Sequence, residues 1–345
     1  MIHTWAWIGW LISALVALSI TRNPLYLFLI LLCIALVGWT QERRLSSESS
    51  QTQNLLPFSP FKFVLVIITL SALFNAFISH FGETVLFSLP EWLPYLGGPI
   101  TLEALAFGAI NGLVLGGIFA AFTVLNLALP VRSLVRLIPR AYYPVAVITS
   151  IAITFIPNAT RQFQHIREAQ AIRGHRVRGL RDWLPLIMPL LVGGLERALG
   201  LAEAMTARGF ASSEGGNQTS QTRLGMVFGL LMLLGGWLLR LIEGWQLLGI
   251  GLMILGITLI AAMLWSIGRS VPRTNYNQEI WRFRDFLVLI GSMVVISAFL
   301  LPIPWIDQSS LHYNPYPILN LPGFDPLIGA ATMGLLIPIF IIKPK

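Results

Sequence analysis

Charge is scarce in this sequence: only 11% of its 345 residues are Asp, Glu, Lys or Arg. A soluble domain carries about a quarter, so an ordinary water-facing globule is excluded. Cysteine is rarer still. Cys33 stands alone inside an apolar run, which rules out an intramolecular disulfide and any CxxC metal or redox site. The five histidines, His3, His80, His165, His175 and His312, are scattered without metal-ligand spacing. No H-E-x-x-H, G-x-S-x-G or Walker A stretch occurs, so neither an enzyme class nor a cofactor is indicated. Net charge is +8, yet no basic tail, zinc pattern or aromatic–basic platform accompanies it, and a nucleic-acid partner is not expected.

What the chain does have is apolar length. Hydrophobic residues make up 55% of it and its mean hydropathy is +0.74. Apolar segments run near 5–20, 24–39, 61–79, 102–129, 141–157, 183–195, 224–241, 244–267, 286–303 and 327–342. In hydrocarbon every backbone N–H and C=O must be paired within the segment, so such runs become helices. The expected fold is an all-α polytopic membrane protein with about eight transmembrane helices and a cytoplasmic helical region. The two segments set aside are 183–195, short and carrying Pro185 and Pro189, and 141–157, bounded by Pro144 and Pro157. The first segment lacks a basic leader region and is read as a retained span.

Charge asymmetry supports that choice. With a cytoplasmic N-terminus and eight spans, only Arg22 and Arg240 of the 23 Lys and Arg lie outside, leaving 21 within. If 141–157 and 183–195 also crossed, the six arginines from Arg161 to Arg181 would change sides and the split would fall to 15 against 8. By the positive-inside rule the first topology is preferred. The expected organisation is N-terminal spans over 1–130 and cytoplasmic or interfacial helices over 131–223. Spans over 224–267 and additional C-terminal spans over 268–345 follow. The cell membrane is the expected location, with both termini cytoplasmic.

Polar stretches at 41–60 and 211–222 read as linkers on the cytoplasmic side. Placed there, the sequons at Asn158 and Asn217 carry no weight for glycosylation. Asn75, Asn111 and Asn126 fall within spans and are expected to hydrogen-bond between helices. Glu103 and Glu243 fall near span ends, where a carboxylate reaches water. Gly112-x-x-x-Gly116 and Gly225-x-x-x-Gly229 permit close helix packing.

One pattern occurs twice, 35 residues apart. Glu168-Ala169-Gln170-Ala171-Ile172-Arg173-Gly174 matches Glu203-Ala204-Met205-Thr206-Ala207-Arg208-Gly209, both reading E-A-x-x-x-R-G. Each Gly is the natural residue to end a helix, because it adopts positive φ without a Cβ penalty. Each Arg then sits at the negative end of the helix dipole. Ordinary capping explains one such copy. Two copies in the main cytoplasmic segment present two planar forks of N–H donors, suited to carboxylates on another protein.

Phe155-Ile156-Pro157, continued through Ile166-Arg167-Glu168-Ala169-Gln170 to Arg173-Gly174, resembles the first coupling motif of the EcfT/CbiQ-type T components of energy-coupling factor (ECF) transporters. Arg197-Ala198 and Leu201-Ala202-Glu203-Ala204-Met205, continued to Ala207-Arg208-Gly209-Phe210, resembles the second. The first copy departs at Ile172, where the family usually has Ala, and at Thr154, where an Arg often precedes Phe-Ile-Pro. The resemblance spans roughly residues 20–267. It implies a non-catalytic subunit in which Ala169, Ile172, Arg173, Gly174, Ala204, Ala207, Arg208 and Gly209 contact two ABC-type ATPases. The membrane helices would hold a substrate-binding S component that imports a vitamin or a transition-metal ion. An intramembrane enzyme would need a cluster of acidic, His or Ser/Lys groups at one depth, which the sequence does not supply. A self-contained permease would need paired broken helices or an inverted repeat of spans.

The topology is open to test. With Cys33 replaced by Ser, single cysteines at Ser133 and Gln164 should both react with an impermeant thiol reagent from the cytoplasmic side only. Labelling from opposite faces would put 141–157 across the bilayer.

Overall fold

A computed structural model describes residues 2–48, 60–79, 81–89, 98–175, 179–210, 220–242, 244–270 and 280–341. The chain is polytopic and all-α in character. Its helices are α1 (Thr4–Ile20), α2 (Pro24–Glu48), α3 (Pro60–Ile78), α4 (Leu102–Ala128), α5 (Val131–Val135), α6 (Tyr143–Ile172), α7 (Leu184–Ala207), α8 (Ser220–Arg240), α9 (Gln246–Ser270), α10 (Phe283–Leu300), α11 (Pro326–Thr332) and α12 (Ile337–Ile341). Two compact units emerge: Met1–Pro130 with Gln278–Lys345, and Val131–Asn277.

In the first unit α4 packs against α1, α2 and α3. Glycine makes this possible. A Cβ on Gly108 or Gly112 would lie 2.6–2.8 Å from backbone atoms of Ser71, Ala72 or Ile68 of α3, and one on Gly117 would strike Leu18 of α1. The Gly112–Gly116 pair is therefore used within the chain, against Ile68 and Val64 of α3. Ahead of α4 lies a small antiparallel hairpin of β1 (Val85–Leu89) and β2 (Gly98–Thr101), a feature not expected from the sequence. Glu103 does not reach water as expected. It is fully buried, and its carboxylate accepts from the Thr84 N–H and hydroxyl, tying the hairpin to the first turn of α4.

The C-terminal part belongs to this same unit. α10 packs along α1, while α11 and α12 pack on α2 and α10. The joints are polar and buried. Asp285, 2% exposed, accepts from the backbone N–H of His3 at 2.8 Å and of Arg282 at 2.9 Å. The Trp10 indole N–H donates to the Leu335 carbonyl at 2.9 Å. Leu335 lies in the 3₁₀ turn Met333–Leu336 that separates α11 from α12. Asn23 donates to the carbonyls of Ser310 and Gly323, and the Tyr26 hydroxyl accepts from the Asp325 N–H.

In the second unit α8 and α9 form a close pair. A Cβ on Gly236 would meet the Gly249 carbonyl oxygen at 2.7 Å, and one on Gly229 would meet Ile260 at 2.7 Å. Gly225 faces Met263, so the Gly225–Gly229 pair too is spent inside the chain. α6 and α7 pack together as well, with Phe163 stacked on Trp183 and Gly193 accommodating Gln162.

Among the described residues seven helices are long and apolar enough to cross a membrane: α2, α4, α6, α7, α8, α9 and α10. α1, residues 62–78 and Pro326–Ile341 are shorter apolar helices. This set differs from the sequence expectation. Read as apolar runs, 141–157 and 183–195 stop near Arg161 and Glu196. Each helix runs on to the Arg-Gly end expected of it, α6 through Pro157 for 30 residues and α7 through Pro189 for 24. The expected linker at 41–60 is helical as far as Glu48. The rest of it to residue 59, with 211–219 (including Asn217), His80 and Glu243, lies outside the described residues.

A buried carboxylate holding two backbone N–H groups contributes about 1.5–3 kcal/mol for each such bond. Asp285→Ala should therefore lower the unfolding midpoint of the detergent-purified protein well below that of a surface control such as Asp307→Ala. Equal midpoints would show that this joint does not hold α10 to the N-terminus.

Candidate functional site

The two E-A-x-x-x-R-G copies close α6 and α7 with the same backbone geometry. Arg173 is the C-cap of α6 at φ −77°, ψ 6°, and Arg208 that of α7 at φ −86°, ψ 6°. Gly174 and Gly209 follow at φ 79° and 76°. The Gly174 N–H donates to the Ala171 carbonyl at 2.9 Å and the His175 N–H to Gln170 at 3.0 Å. At the second end Gly209 donates to Thr206 at 2.9 Å and Phe210 to Met205 at 3.0 Å. These are two Schellman motifs, which satisfy carbonyls the helix would otherwise leave unpaired. Each Arg N–H reaches back four residues, to the carbonyls of Ala169 and Ala204.

Both ends face outward. Ala169, Ile172, Arg173 and Gly174 are exposed, as are Ala204, Ala207, Arg208 and Gly209. Among the described residues neither the Arg173 nor the Arg208 guanidinium has a hydrogen-bond or ion-pair partner. Capping thus uses the arginine backbones and leaves both side chains available. Ile172, the departure from Ala in the first copy, is 88% exposed. It changes what that end presents, not how the helix packs.

Tertiary structure adds a relation the repeat does not contain. The His175 ring lies 2.8 Å from the carbonyl oxygen of Asp182, in the 3₁₀ turn Leu180–Trp183 that opens α7. At the far end Tyr143, which opens α6, lies 6.3 Å from the Phe210 ring that follows α7. The helices are antiparallel, and the two Arg-Gly ends stand at opposite ends of the pair. Over the 24 residues of α7 that separation is about 36 Å at a rise of about 1.5 Å per residue.

Where the helices meet lies an open depression of about 480 Å³, lined by Asn158, Arg161, Gln162, His165 and Arg197 with Ile166 and Ala169. Arg161 donates to the Asn158 side chain and Arg197 to the Gly193 carbonyl. The sequence reading did not group these residues, because they come from two helices and only the crossing brings them together. Of the asparagines expected to bridge spans, Asn111 accepts from the Arg22 guanidinium at 2.7 Å, while the buried Asn75 Oδ1 has no partner among the described residues.

Apolar helices in this number describe a multi-pass membrane protein, and its two Arg-Gly ends face outward. The chain belongs to the CbiQ family, described as cobalt transport protein, whose match covers residues 5–221. Its relatives are T components of ECF transporters, which are transporter components and not enzymes. The chain is 28% identical over 175 residues to the energy-coupling factor transporter transmembrane protein EcfT of Bacillus selenitireducens, covering 48% of this chain and 65% of that one. It is 32% identical over 104 residues to that of Leuconostoc gelidum, covering 26% and 39%. Against that of Brevibacillus brevis it is 26% identical over 229 residues, covering 61% and 82%. For the first two relatives the chain thus covers less than two thirds of their length. The family match ends at residue 221, short of the residue 267 to which the sequence resemblance extended.

The positive φ at each helix end gives a direct test. An L side chain in that region costs about 1–2 kcal/mol, more for a β-branched one. Gly174→Val and Gly209→Val should each fray the last turn of the preceding helix, read as faster amide hydrogen exchange at His175 or Phe210. Unchanged protection would show that the Schellman bonds do not require glycine.

Proposed function

We propose that this chain is the non-catalytic transmembrane coupling subunit of an ECF-type ABC importer. It transmits the ATP-driven motion of two ATPases to a membrane-embedded S component that carries a vitamin or a transition-metal ion. The observation that carries the reading is the pair of outward-facing Arg-Gly ends with matching backbone geometry, about 36 Å apart by helix rise. A single site on a single partner does not span that distance; one site on each of two ATPases does. The relatives' printed name, a transmembrane protein of an energy-coupling factor transporter, supports the same reading.

Antiparallel packing also bears on topology. If α6 and α7 crossed the bilayer upright, ends this far apart would emerge on opposite faces, since the hydrocarbon is about 30 Å thick. Both reach the cytoplasm only if the pair lies along the membrane surface. The charge asymmetry favours that placement, with residues 131–223 and both termini cytoplasmic at the cell membrane. Only 6% of the apolar window of either helix is buried, against 44% for α2. Lipid on one side and ATPases at the ends would supply the missing cover. ATPase closure would then draw the ends of the pair together, and its tilt would reorient the S component.

Removing one partner of a desolvated charged pair costs about 2–5 kcal/mol, against about 0.2–1 kcal/mol for an exposed one. Arg173→Glu with Arg208→Glu should abolish co-purification of the ATPases without reducing membrane insertion, even at low salt. Of the single changes, Arg208→Glu should be the more damaging, because its end carries the family's Ala-Arg-Gly. Wild-type ATPase binding and transport in the double variant would return both arginines to helix capping.

A further inference from the structure

At the C-terminal end of α9 a second hollow, of about 430 Å³, has a composition that the coupling reading does not use. Its lower wall is apolar, formed by Ala261, Leu264 and the Trp265 ring. Its rim carries two cations, Arg269 of α9 and Arg140 of the 3₁₀ turn Arg140–Tyr142 that packs on this helix. Among the described residues no carboxylate lines it. Gly268 opens the space between the two elements: a Cβ there would lie 3.3 Å from the Arg140 Cβ.

The Arg269 side chain and the turn that carries Arg140 are held in place. The Arg269 guanidinium stacks 3.8 Å from the centre of the Trp265 ring, a cation–π contact that leaves its N–H edge free to donate. Arg140 follows Pro139, whose carbonyl accepts from the Tyr142 N–H at 2.9 Å and closes the turn. Among the described residues neither guanidinium has a hydrogen-bond or ion-pair partner.

The polarity of the hollow runs along the helix. Ala261 lies two turns nearer the middle of α9 than Arg269, about 12 Å at about 1.5 Å per residue, and α9 is the most apolar of the seven candidate spans. A cationic rim thus stands over an apolar wall at the point where a membrane helix leaves the hydrocarbon. We infer that this hollow binds one anionic phospholipid, with the phosphate between Arg140 and Arg269 and the acyl chains along Ala261, Leu264 and Trp265. A free anion would use the rim and leave the apolar wall uncovered. A diacyl phosphate covers both. The assignment does not depend on the ATPase contact, which involves other residues.

The test uses the full-length protein in detergent, titrated with phosphatidylglycerol or phosphatidylcholine, with bound lipids counted by native mass spectrometry. The wild type should retain one phosphatidylglycerol more tightly than any further one, and more tightly than phosphatidylcholine. A basic residue near a lipid surface is worth about fivefold in binding, so Arg140→Gln with Arg269→Gln should weaken that first site by about thirtyfold. Gly268→Leu, which keeps both charges and fills the hollow, should weaken it as well. If the double variant fails to fold, the single Arg→Gln variants, each expected to lose about fivefold, carry the test. The inference is overturned by equal retention of the two lipids, or by unchanged phosphatidylglycerol binding in the Arg variants or in Gly268→Leu. Displacement of the lipid by inorganic phosphate would mark a free-anion site and overturn it too. So would Arg variants that keep the lipid but lose the ATPases, since the cations would then belong to a protein partner.

Discussion

Where a helix in an apolar environment starts, breaks or stops, its freed N–H and C=O groups must find partners, because neither lipid nor a packed core offers water. Much of this structure follows from that demand. The broken C-terminal helix gives up the Leu335 carbonyl, and the Trp10 indole takes it. The start of α10 is closed by Asp285, which also gathers the His3 N–H. Thr84 and Glu103 settle the entry to α4. At the ends of α6 and α7 the chain satisfies itself, through a glycine at positive φ and two backbone bonds. Those two ends are also where side chains are left over for use by something else.

Close packing depends on the same economy of side chains. α4 meets α3, and α8 meets α9, at distances where a single methyl group would collide with backbone. Both small-residue stripes are consumed inside their own units, so neither is a surface for another subunit. The antiparallel α6–α7 pair is the opposite case: few of its apolar side chains have cover within the chain. The pair is joined along its length but bare on its outer faces, and Arg173 and Arg208 stand at its two ends.

Some of this was legible from composition alone. Long apolar runs separated by charge leave no alternative to helices, and the doubled Arg-Gly pattern announced two helix ends because only glycine follows a C-cap at positive φ without strain. Other features were not legible. Composition did not show that α6 and α7 each carry a proline, Pro157 and Pro189, through a single helix of 30 and 24 residues. Glu103 looked like a span-end carboxylate open to water. It is buried because residues 81–89 and 98–101 fold back over it as a hairpin.

By itself the sequence determined the class of the protein, the residues that end α6 and α7 and the conformation those ends adopt, because each rests on local rules of hydropathy and backbone sterics. Only the tertiary structure decided that residues 283–341 are built into the N-terminal bundle, since the contacts concerned join positions some 280 to 325 apart in the chain. It alone decided that the two Arg-Gly ends point away from each other along an antiparallel pair. The direction in which one helix packs on another is set by side chains meeting across space, and no repeat spacing encodes it.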